Sequence, residues 1–348
     1  PLQIKVWNSG EQESTDTHNR ELLDDQQQWW KPLECDERVE WSALWVQRDT
    51  FANFFHDSED FFNVFLTLAI LDYKVSQVRT MVMDLFPQGP FWDMWIKVFS
   101  TPDKEVISAW ELKNRFGNKK VCFNEIAVAI IGPASPFTIH SSVTPCAGSP
   151  LMKAYSDFII RGVGLHPYTY FVQKEPPKIV VVTWMARRPS VEWPEKHFCN
   201  SEFFTCDHFS HLGIRQIGRV LKNEPEAVDK LSDLETHKWT DNRQVIFRPK
   251  DYNLLSLVEQ IKVDIRTDVM VGPHGAGLWH SIFMPDRAHL VELSIDGSGG
   301  LKHFCNAAIW RRNKDQYTQF KDAKNPVDVN KLFDLVSDAA QKVDLSRH

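Results

Sequence analysis

The hydrophobic and polar positions of the chain alternate between helix-like and strand-like segments. After a polar lead-in over residues 1–48, the first half carries helical patterns at 51–71 and 149–164 and strand-like runs at 78–85 and 119–131. The second half carries strand-like runs at 179–184, 243–249, 268–272 and 289–294 and helical patterns at 254–267, 277–284 and 327–343. A continuous apolar run such as IVVVTW is typical of a strand buried on both faces of a parallel sheet. The alternation predicts an open α/β fold with parallel sheets.

A break in this pattern at 173–178, QKEPPK, divides the chain in two. Two prolines between apolar segments are typical of a linker. The 348 residues are also enough for two domains of ~100–200 residues each. We therefore predict a first domain over 1–172, a second over 173–326, and a C-terminal helical segment over 327–348.

Composition narrows the function classes. The net charge is −6 and Lys and Arg form no block, which argues against a nucleic-acid-binding protein. No apolar run reaches ~18 residues, so we expect no transmembrane span, although a leader or anchor ahead of Pro1 is left open. The 13 Trp and 23 Phe suit large cores, and equally a surface that stacks on sugars.

The segment VMVGPHGAGLWHSIFMP, residues 269–285, is the first candidate for chemistry. It predicts a buried strand, a turn rich in small residues (His274, Gly275, Ala276, Gly277) and the start of a helix. Exposed amides at a helix N-terminus attract a phosphate, and ligands of open α/β sheets bind at the carboxyl ends of strands. Most such turns are only turns, and the segment matches neither GxGxxG nor the Walker A loop.

Two arginines follow another buried strand of the same predicted sheet. Arg187 and Arg188 come shortly after the run 179–184. Arginines at this position can clamp a diphosphate. A pair of surface arginines is an equally good interpretation.

Polar side chains line one face of the helix predicted over 51–71. At ~100° per residue, Asn53, His56 and Asp60 share a stripe opposite a face of phenylalanines. His56 and Asp60 are four residues apart, within reach of a hydrogen bond. His and Asp are usual residues of acid–base catalysis. A His–Asp pair that only anchors the helix is the direct alternative.

Cysteine and metal-ligand patterns are weak. The six cysteines contain no CxxC pair. The His- and Cys-rich stretch 197–211 matches no standard zinc spacing, and a Cys199–Cys206 disulfide or a His-rich loop is the better interpretation. No Asp-x-Asp pair is present to hold a metal ion on a nucleotide.

Together these features resemble glycosyltransferase family 61. The family's glycine motif is similar to the stretch Gly272 to Leu278, followed here by Pro285 and Glu292. Its Asn-x-x-His-x-x-x-Asp/Glu pattern matches Asn53, His56 and Asp60. Arg187 resembles the family's arginine after the first strand of the second domain, and VCFNE at 121–125 resembles one branch of the family. Trp279 departs from the family, which commonly has Thr or Ser there.

The resemblance implies a GT-B fold, in which two Rossmann-like domains face each other across a cleft. It implies that the second domain binds the donor and that the helix 327–343 crosses back to the first domain. It further implies an inverting, metal-independent transfer from UDP-GlcNAc or UDP-xylose. In the branch with the VCFNE stretch a cysteine follows some way downstream, which implies a Cys122–Cys146 disulfide. The implied location is the lumen of the secretory pathway, chiefly the Golgi.

We therefore predict a glycosyltransferase that moves a sugar from a UDP-sugar to a hydroxyl of a protein or glycan, with no cofactor and no metal. Asp60 is the predicted general base, with His56 orienting it or itself acting as the base. The predicted substrate-binding residues are Asn53, Arg187, Arg188, His274, Gly275, Ala276, Gly277, Leu278 and Glu292.

Three further roles are predicted, and those of His274 and Glu292 carry alternatives. The amides of 275–277 and Arg187 would stabilise the leaving diphosphate. His274 contacts the phosphate or only shapes the turn, and Glu292 binds the ribose or is a satisfied strand-end carboxylate. The rival functions are a catalytically inactive UDP-sugar- or glycan-binding module, a structural adaptor, and a Rossmann oxidoreductase, which would need the missing GxGxxG motif.

Overall fold

The computed structural model describes residues 34–51, 53–138, 147–167, 178–186, 220–295, 302–323 and 325–346. Across these ranges the strands are β1 Glu37–Val39, β2 Ser42–Val46, β3 Val78–Val82, β4 Ile107–Ser108, β5 Val121–Phe123, β6 Ile126–Val128, β7 Ile179–Met185, β8 Gln244–Lys250, β9 Val269–Pro273, β10 His289–Ile295 and β11 Tyr317–Ala323. The helices are α1 Phe54–Ile70, α2 Trp92–Val98, α3 Ala109–Phe116, α4 Pro150–Gly162, α5 Glu224–Ser232, α6 Leu257–Asp264, α7 His303–Arg311 and α8 Val329–Lys342. A 3-10 helix, Ala276–Phe283, follows β9 and is called the turn helix below.

The strands of the second half form a five-stranded parallel sheet in the order β11-β10-β9-β7-β8. Every residue of β9 and β10 is buried, as expected for strands covered on both faces. In chain order this is the 2-1-3-4-5 arrangement of doubly wound sheets. The strand order reverses between β7 and β9, and ligands of such sheets bind beyond the carboxyl ends of the two strands at that point.

The strands of the first half form a separate four-stranded parallel sheet in the order β4-β3-β2-β6, beside a parallel β1-β5 pair. α1 follows β2 and buries its phenylalanines. Phe61 packs on Trp95 with ring centroids 4.8 Å apart, and Phe62 stacks on Phe137 at 4.1 Å. Parallel sheets are therefore confirmed in both halves of the chain.

One hydrophobic core joins α1 to the turn helix. Phe54 stacks on His280 with centroids 4.1 Å apart, and Trp279 contacts both Phe55 at 5.0 Å and Phe137 at 4.7 Å. Trp279 is fully buried. The tryptophan at this position therefore has a packing role, since it fills the junction between the two halves.

Most predicted elements are present, with ends shifted by a few residues. The segment predicted as a helix over 277–284 is a 3-10 helix, so its hydrogen bonds are tighter than those of an α-helix. The run 119–131 divides into β5 and β6. Ser149 occupies the N-cap position of α4 as predicted, but its side chain makes no capping hydrogen bond.

The C-terminal helix packs on the second sheet, whereas the resemblance implies that it crosses back to the first domain. α8 buries Leu332, Val336, Ala339 and Ala340 in the core of the second sheet, against β9, β10 and β11. The apolar face of α8 packs on the five-stranded sheet that precedes it in the chain.

The implied Cys122–Cys146 disulfide is wrong, because Cys122 is bonded to Cys35. β1 pairs in parallel with β5, with Arg38 opposite Cys122. This pairing brings Cys35, which lies just before β1, close to Cys122, with their Cα atoms 5.7 Å apart. The spacing along the chain could not show this pairing, since the partners are 87 residues apart. Cys146, Cys199 and Cys206 lie outside the described residues.

Over the described part of the chain, no helix combines the length and the apolar character needed to cross a membrane.

Candidate active site

The glycine turn lies at the point where the order of the second sheet reverses. β9 ends at Pro273, and the amide of His274 donates to the carbonyl of Leu293 at 2.9 Å. The first hydrogen bond of the turn helix runs from the Leu278 amide to the Gly275 carbonyl at 2.9 Å. The amides of Ala276 and Gly277 therefore have no acceptor within the helix. Both residues are partly exposed, so this part of the turn borders solvent.

The side of this turn that faces β7 is filled. A Cβ added to Gly277 would lie 2.4 Å from Sδ of Met185, and one added to Gly272 would lie 3.1 Å from the Met185 carbonyl oxygen. These two glycines therefore allow close packing of β7 on the turn. Leu278, predicted to bind substrate, is 1% exposed and packs in the core.

His274 is held by a buried carboxylate. Its Nδ1 hydrogen-bonds to Oε1 of Glu292, and the Tyr317 hydroxyl donates to Oε2 of Glu292 at 2.6 Å. Glu292 is fully buried, so both of its oxygens are used inside the protein. Burial, followed by the charge of Glu292 and the hydrogen bond to it, raises the pKa of Tyr317. The geometry favours the second interpretation of Glu292, a satisfied carboxylate that fixes the ring of His274.

The start of α1 carries the predicted Asn-His-Asp pattern. Oδ1 of Asn53 accepts a hydrogen bond from the amide of Phe55 at 3.2 Å, so this side chain caps the helix. Further along the stripe, Asn63 is fully buried, and its Nδ2 donates to the carbonyls of Ile130 and Ile131 at 3.1 and 3.3 Å. Asn63 therefore anchors the neighbouring loop at Ile130 and Ile131.

His56 contacts two carboxylates, neither of which is Asp60. Its Nδ1 lies 2.8 Å from Oε2 of Glu59 and 3.0 Å from Oδ2 of Asp49. Burial alone would lower the pKa of His56, but hydrogen bonds to Asp49 and Glu59 and their charges outweigh it and raise the pKa to about 10. His56 is therefore an imidazolium at neutral pH, and the predicted His56–Asp60 hydrogen bond is wrong.

Asp60 lies beneath this group and is 1% exposed. Its Oδ2 accepts from the amide of Asp49 at 2.9 Å, and its Oδ1 has no partner among the described residues. Burial raises the pKa of Asp60 to about 9, and the charges of Asp57 and Asp49 add to the rise. A carboxyl group that is protonated and sealed from solvent at neutral pH is poorly placed to take a proton from an acceptor.

Aromatic rings link the glycine turn to the cluster of Asp49, His56, Glu59 and Asp60, called the α1 group below. Phe55 lies beside His56 and contacts His303 with centroids 4.9 Å apart. Phe304 contacts His274 at 4.8 Å and Phe55 at 6.2 Å. The fold therefore brings the α1 group and the glycine turn to the same region through two layers of rings.

Three ligand atoms in the α1 group could hold a metal ion. The donor atoms of Asp49, His56 and Glu59 all lie within 4.8 Å of one another. The contacts of His56 Nδ1 with the carboxylates of Glu59 and Asp49 account for the short distances among these three residues without an ion.

Sequence reasoning missed four of these residues. Glu59 is three positions from His56, so the helical spacing could have indicated it. Asp49 lies outside the helix, and Tyr317 and His303 belong to elements that the pattern did not predict. Arg187 and Arg188 lie outside the described residues.

Comparison with known proteins gives a consistent match. Residues 213–291 match the family model described as Glycosyltransferase 61. Proteins named EGF domain-specific O-linked N-acetylglucosamine transferase match over most of the chain. The one from Drosophila melanogaster is 26% identical over 267 residues, covering 74% of this chain and 42% of the relative. The one from Mus musculus is 27% identical over 274 residues, covering 76% and 43%. The one from Bos taurus is 25% identical over 329 residues, covering 88% and 53%.

The chain thus spans about half or less of the length of these relatives. The predicted resemblance to glycosyltransferase family 61 is confirmed.

Proposed function

With the match to glycosyltransferase family 61 as the premise, we propose that this chain is the catalytic unit of a UDP-sugar-dependent glycosyltransferase. The observation that carries the proposal is the glycine turn, whose residues Ala276 and Gly277 are partly exposed and follow β9 at the reversal point of a doubly wound sheet. The names of the relatives favour N-acetylglucosamine over xylose as the transferred sugar. The acceptor is a hydroxyl of a protein or glycan.

The donor diphosphate binds at the glycine turn. The amides of Ala276 and Gly277 face it, and His274 presents its ring from a position fixed by Glu292 and Tyr317. When the bond between C1 of the sugar and the diphosphate breaks, charge develops on the leaving oxygen. Preorganised donors at that point lower the barrier. Arg187 and Arg188 add positive charge beside the diphosphate in this proposal. Their role rests on their position in the sequence after β7.

The transfer inverts the anomeric carbon and uses no metal ion. The acceptor oxygen attacks C1 from the face opposite the diphosphate, and its proton passes to a carboxylate on the α1 side. We assign this role to Asp49, because its side chain is 26% exposed and its carboxylate can therefore meet an acceptor. His56, as an imidazolium 3.0 Å away, positions it. This replaces Asp60, which is buried and protonated.

The remaining expectations form part of the same proposal. The two parallel sheets belong to the two halves of a GT-B fold, and the substrates meet between α1 and the glycine turn. The protein acts in the lumen of the secretory pathway, chiefly the Golgi.

The test combines donor binding with turnover. UDP, UDP-GlcNAc and UDP-xylose are each added to the protein, and the shift in melting temperature is recorded, since a ligand that binds the native state raises it. Sugar transfer and donor hydrolysis are then measured for the wild type, Asp49→Asn and Asp60→Asn. We expect Asp49→Asn to keep the thermal shift and lose transfer by about a hundredfold or more, the usual contribution of a general base.

Asp60→Asn is the matched control, because the amide replaces a protonated carboxyl of the same shape. It should keep most of the activity. If Asp60→Asn is inactive and Asp49→Asn is not, the assignment of the base is reversed. If no uridine nucleotide binds at all, the proposed function is refuted.

The second candidate is an inactive UDP-sugar-binding module. The burial of Asp60, the residue at the catalytic position of the motif, favours it. It predicts thermal shifts with UDP-sugars together with neither transfer nor hydrolysis by the wild type.

A further inference from the structure

Glu59 is a buried carboxylate whose two oxygens are both in use. It lies on α1 and is 1% exposed. Its Oε2 lies 2.8 Å from Nδ1 of His56, and its Oε1 accepts a hydrogen bond from the hydroxyl of Thr138 at 2.8 Å. A buried carboxylate is costly unless opposite charge and hydrogen bonds compensate it. The hydroxyl of Thr138 is neutral, so the imidazolium of His56 supplies the opposite charge.

Thr138 holds Glu59 from a different part of the chain. It ends the 3-10 helix Pro136–Thr138, in the loop that follows β6. The same loop packs on the α1 group at Gly132, where an added Cβ would lie 2.6 Å from Cβ of Asp49. The loop therefore has a fixed position against the group, and its last hydroxyl fixes the carboxylate of Glu59 from outside the helix.

The carboxylate of Asp49 depends on His56 for its orientation. The backbone amide of Asp49 is held by Oδ2 of Asp60 at 2.9 Å. Its carboxylate has one polar partner in the described part of the chain, Nδ1 of His56 at 3.0 Å. The His56 side chain is 37% exposed, so its ring can turn into solvent unless it is held. The contact with Glu59 holds the ring, and through the ring the carboxylate of Asp49.

A second histidine of the proposed site is held in the same way. Glu292, also buried, contacts Nδ1 of His274 with one oxygen and the hydroxyl of Tyr317 with the other. In both places a buried glutamate joins a histidine ring to a hydroxyl from another element. His56 differs in that it also contacts a partly exposed carboxylate, Asp49, so the position of its ring matters at the surface.

We propose that Glu59 is a positioning residue of the transfer reaction, acting through His56 on the carboxylate of Asp49. This role rests on the proposed function, in which Asp49 takes the proton of the acceptor hydroxyl. Glu59 itself is sealed from solvent, touches no substrate and takes up no proton in the reaction. An anchor that only joined α1 to the loop after β6 would account for the bond to Thr138, but it would leave the contact between His56 and Asp49 without a role.

Two conservative variants test the contacts of Glu59. Glu59→Gln keeps the size of the side chain and removes the charge that holds His56, and Thr138→Val removes the hydroxyl at the other oxygen. Transfer needs a base within hydrogen-bond reach of the acceptor hydroxyl, so we expect kcat to fall about tenfold in Glu59→Gln and about threefold in Thr138→Val. KM for the sugar donor and the shift in melting temperature with UDP should stay as in the wild type, because neither residue touches the donor.

Matched controls carry the same changes at exposed contacts. Glu125→Gln alters a carboxylate whose two oxygens also accept hydrogen bonds, from the hydroxyls of Ser42 and Tyr73. Thr101→Val removes a hydroxyl that donates to a carboxylate, that of Asp103, at 2.7 Å. Both contacts lie outside the α1 group, so kcat should be unchanged. Equal losses in the two variants and in their controls would overturn the proposal.

A double-mutant cycle separates a positioning role from a structural one. If Glu59 acts through Asp49, adding Glu59→Gln to Asp49→Asn should slow the residual transfer no further, whereas a structural role predicts a further loss. The cycle also keeps the two proposals apart. Loss of transfer in Asp49→Asn with full activity in Glu59→Gln would overturn the role of Glu59 alone. Full activity in Asp49→Asn would overturn the assignment of the base, and this role with it.

Proton NMR reports the position of the ring without any substrate. The resonance of the His56 Nδ1 proton is identified by its loss in His56→Gln. It should move in Glu59→Gln and in Thr138→Val, because the hydrogen bond to Oε2 of Glu59 is changed, and stay in place in the two controls. An unchanged resonance in Glu59→Gln would show that Glu59 does not hold the ring, and the proposal would fail.

Discussion

At the scale of single residues, the α1 group shows how burial changes the chemistry of a motif. His56 and Asp60 have the spacing of a hydrogen-bonded pair on an ideal helix, yet the fold gives them different partners. His56 turns outward to Asp49 and Glu59, while Asp60 turns inward to the amide of Asp49. Protonation follows from these contacts, with the pKa of His56 at about 10 and that of Asp60 at about 9. Such displaced pKa values are typical of functional sites.

Beside Asp57, whose pKa burial raises to about 8, both His56 and Asp60 should make stability depend on pH. Both bind a proton more tightly in the folded state, so unfolding releases protons and the free energy of unfolding falls as pH rises. For Asp60 this loss extends from about 4 to about 9, and for His56 from about 6.5 to about 10. Urea denaturation at a series of pH values measures it.

Each of the two groups has a variant that removes its own contribution. Asp60→Asn should flatten the lower part of the profile and His56→Gln the upper part. If the profile of Asp60→Asn matches that of the wild type between pH 5 and 8, the carboxyl of Asp60 is ionised in the folded protein.

At the scale of secondary-structure elements, the turn helix depends on a strand that comes later in the chain. β11 pairs in parallel with β10 and places Tyr317 next to Leu290, from where its hydroxyl reaches Glu292. Glu292 in turn fixes His274 at the start of the turn. The orientation of a residue in the proposed donor site is therefore set by an edge strand outside the glycine motif.

Tyr317→Phe should weaken both the fold and the site. Removing the buried hydrogen bond to the carboxylate should lower the free energy of unfolding by about 1–3 kcal/mol. Affinity for UDP should fall as well, because the ring of His274 loses its fixed position. Urea denaturation and a UDP titration measure the two effects.

Tyr73→Phe is the control, since Tyr73 donates to Glu125 in a solvent-exposed hydrogen bond. It should change stability by about 0.5 kcal/mol or less. A Tyr317→Phe variant that loses stability and binds UDP as tightly as the wild type would show that Glu292 and His274 are structural only.

At the scale of the whole molecule, two parallel sheets are joined by aromatic packing and by a long-range covalent link. Phe54, Phe55 and Trp279 connect α1 to the turn helix. Cys35 and Cys122 tie the small β1-β5 pair beside the first sheet. Both features bring together residues that are far apart in the chain.

The disulfide should stabilise the protein through its long loop. Closing a loop of 87 residues restricts the unfolded chain, and its loss should cost about 2–4 kcal/mol. Cys35→Ala and Cys122→Ala should therefore lower the free energy of unfolding equally under oxidising conditions. A loss on Cys146→Ala equal to that on Cys122→Ala would instead support the pairing implied by the family.

Transfer should also proceed without a divalent cation. No Asp-x-Asp pair is available in the sequence, and the proposed donor site stabilises the diphosphate with amides and guanidinium groups. EDTA should leave the transfer rate unchanged, with added Mn²⁺ as the comparison. Loss of activity in EDTA and recovery with Mn²⁺ would contradict this and would direct attention to Asp49, His56 and Glu59.

The sequence by itself determined the elements whose pattern is local. The buried strands β7, β9 and β10 follow from continuous apolar runs, α1 and α4 from helical periodicity, and the glycine turn from its small residues. The shorter helices α2, α3, α5 and α7 were missed, because a segment of seven to nine residues shows too few turns to establish a period.

Only the tertiary structure decided which side chains meet and what charge they carry. The bonds from Asp49 to His56, from Tyr317 to Glu292 and from Cys35 to Cys122 join residues 7, 25 and 87 positions apart. No local spacing encodes these contacts. The same holds for Asp60, whose proton is retained because the fold removes its carboxyl group from water, and the exposure of a residue depends on everything packed around it.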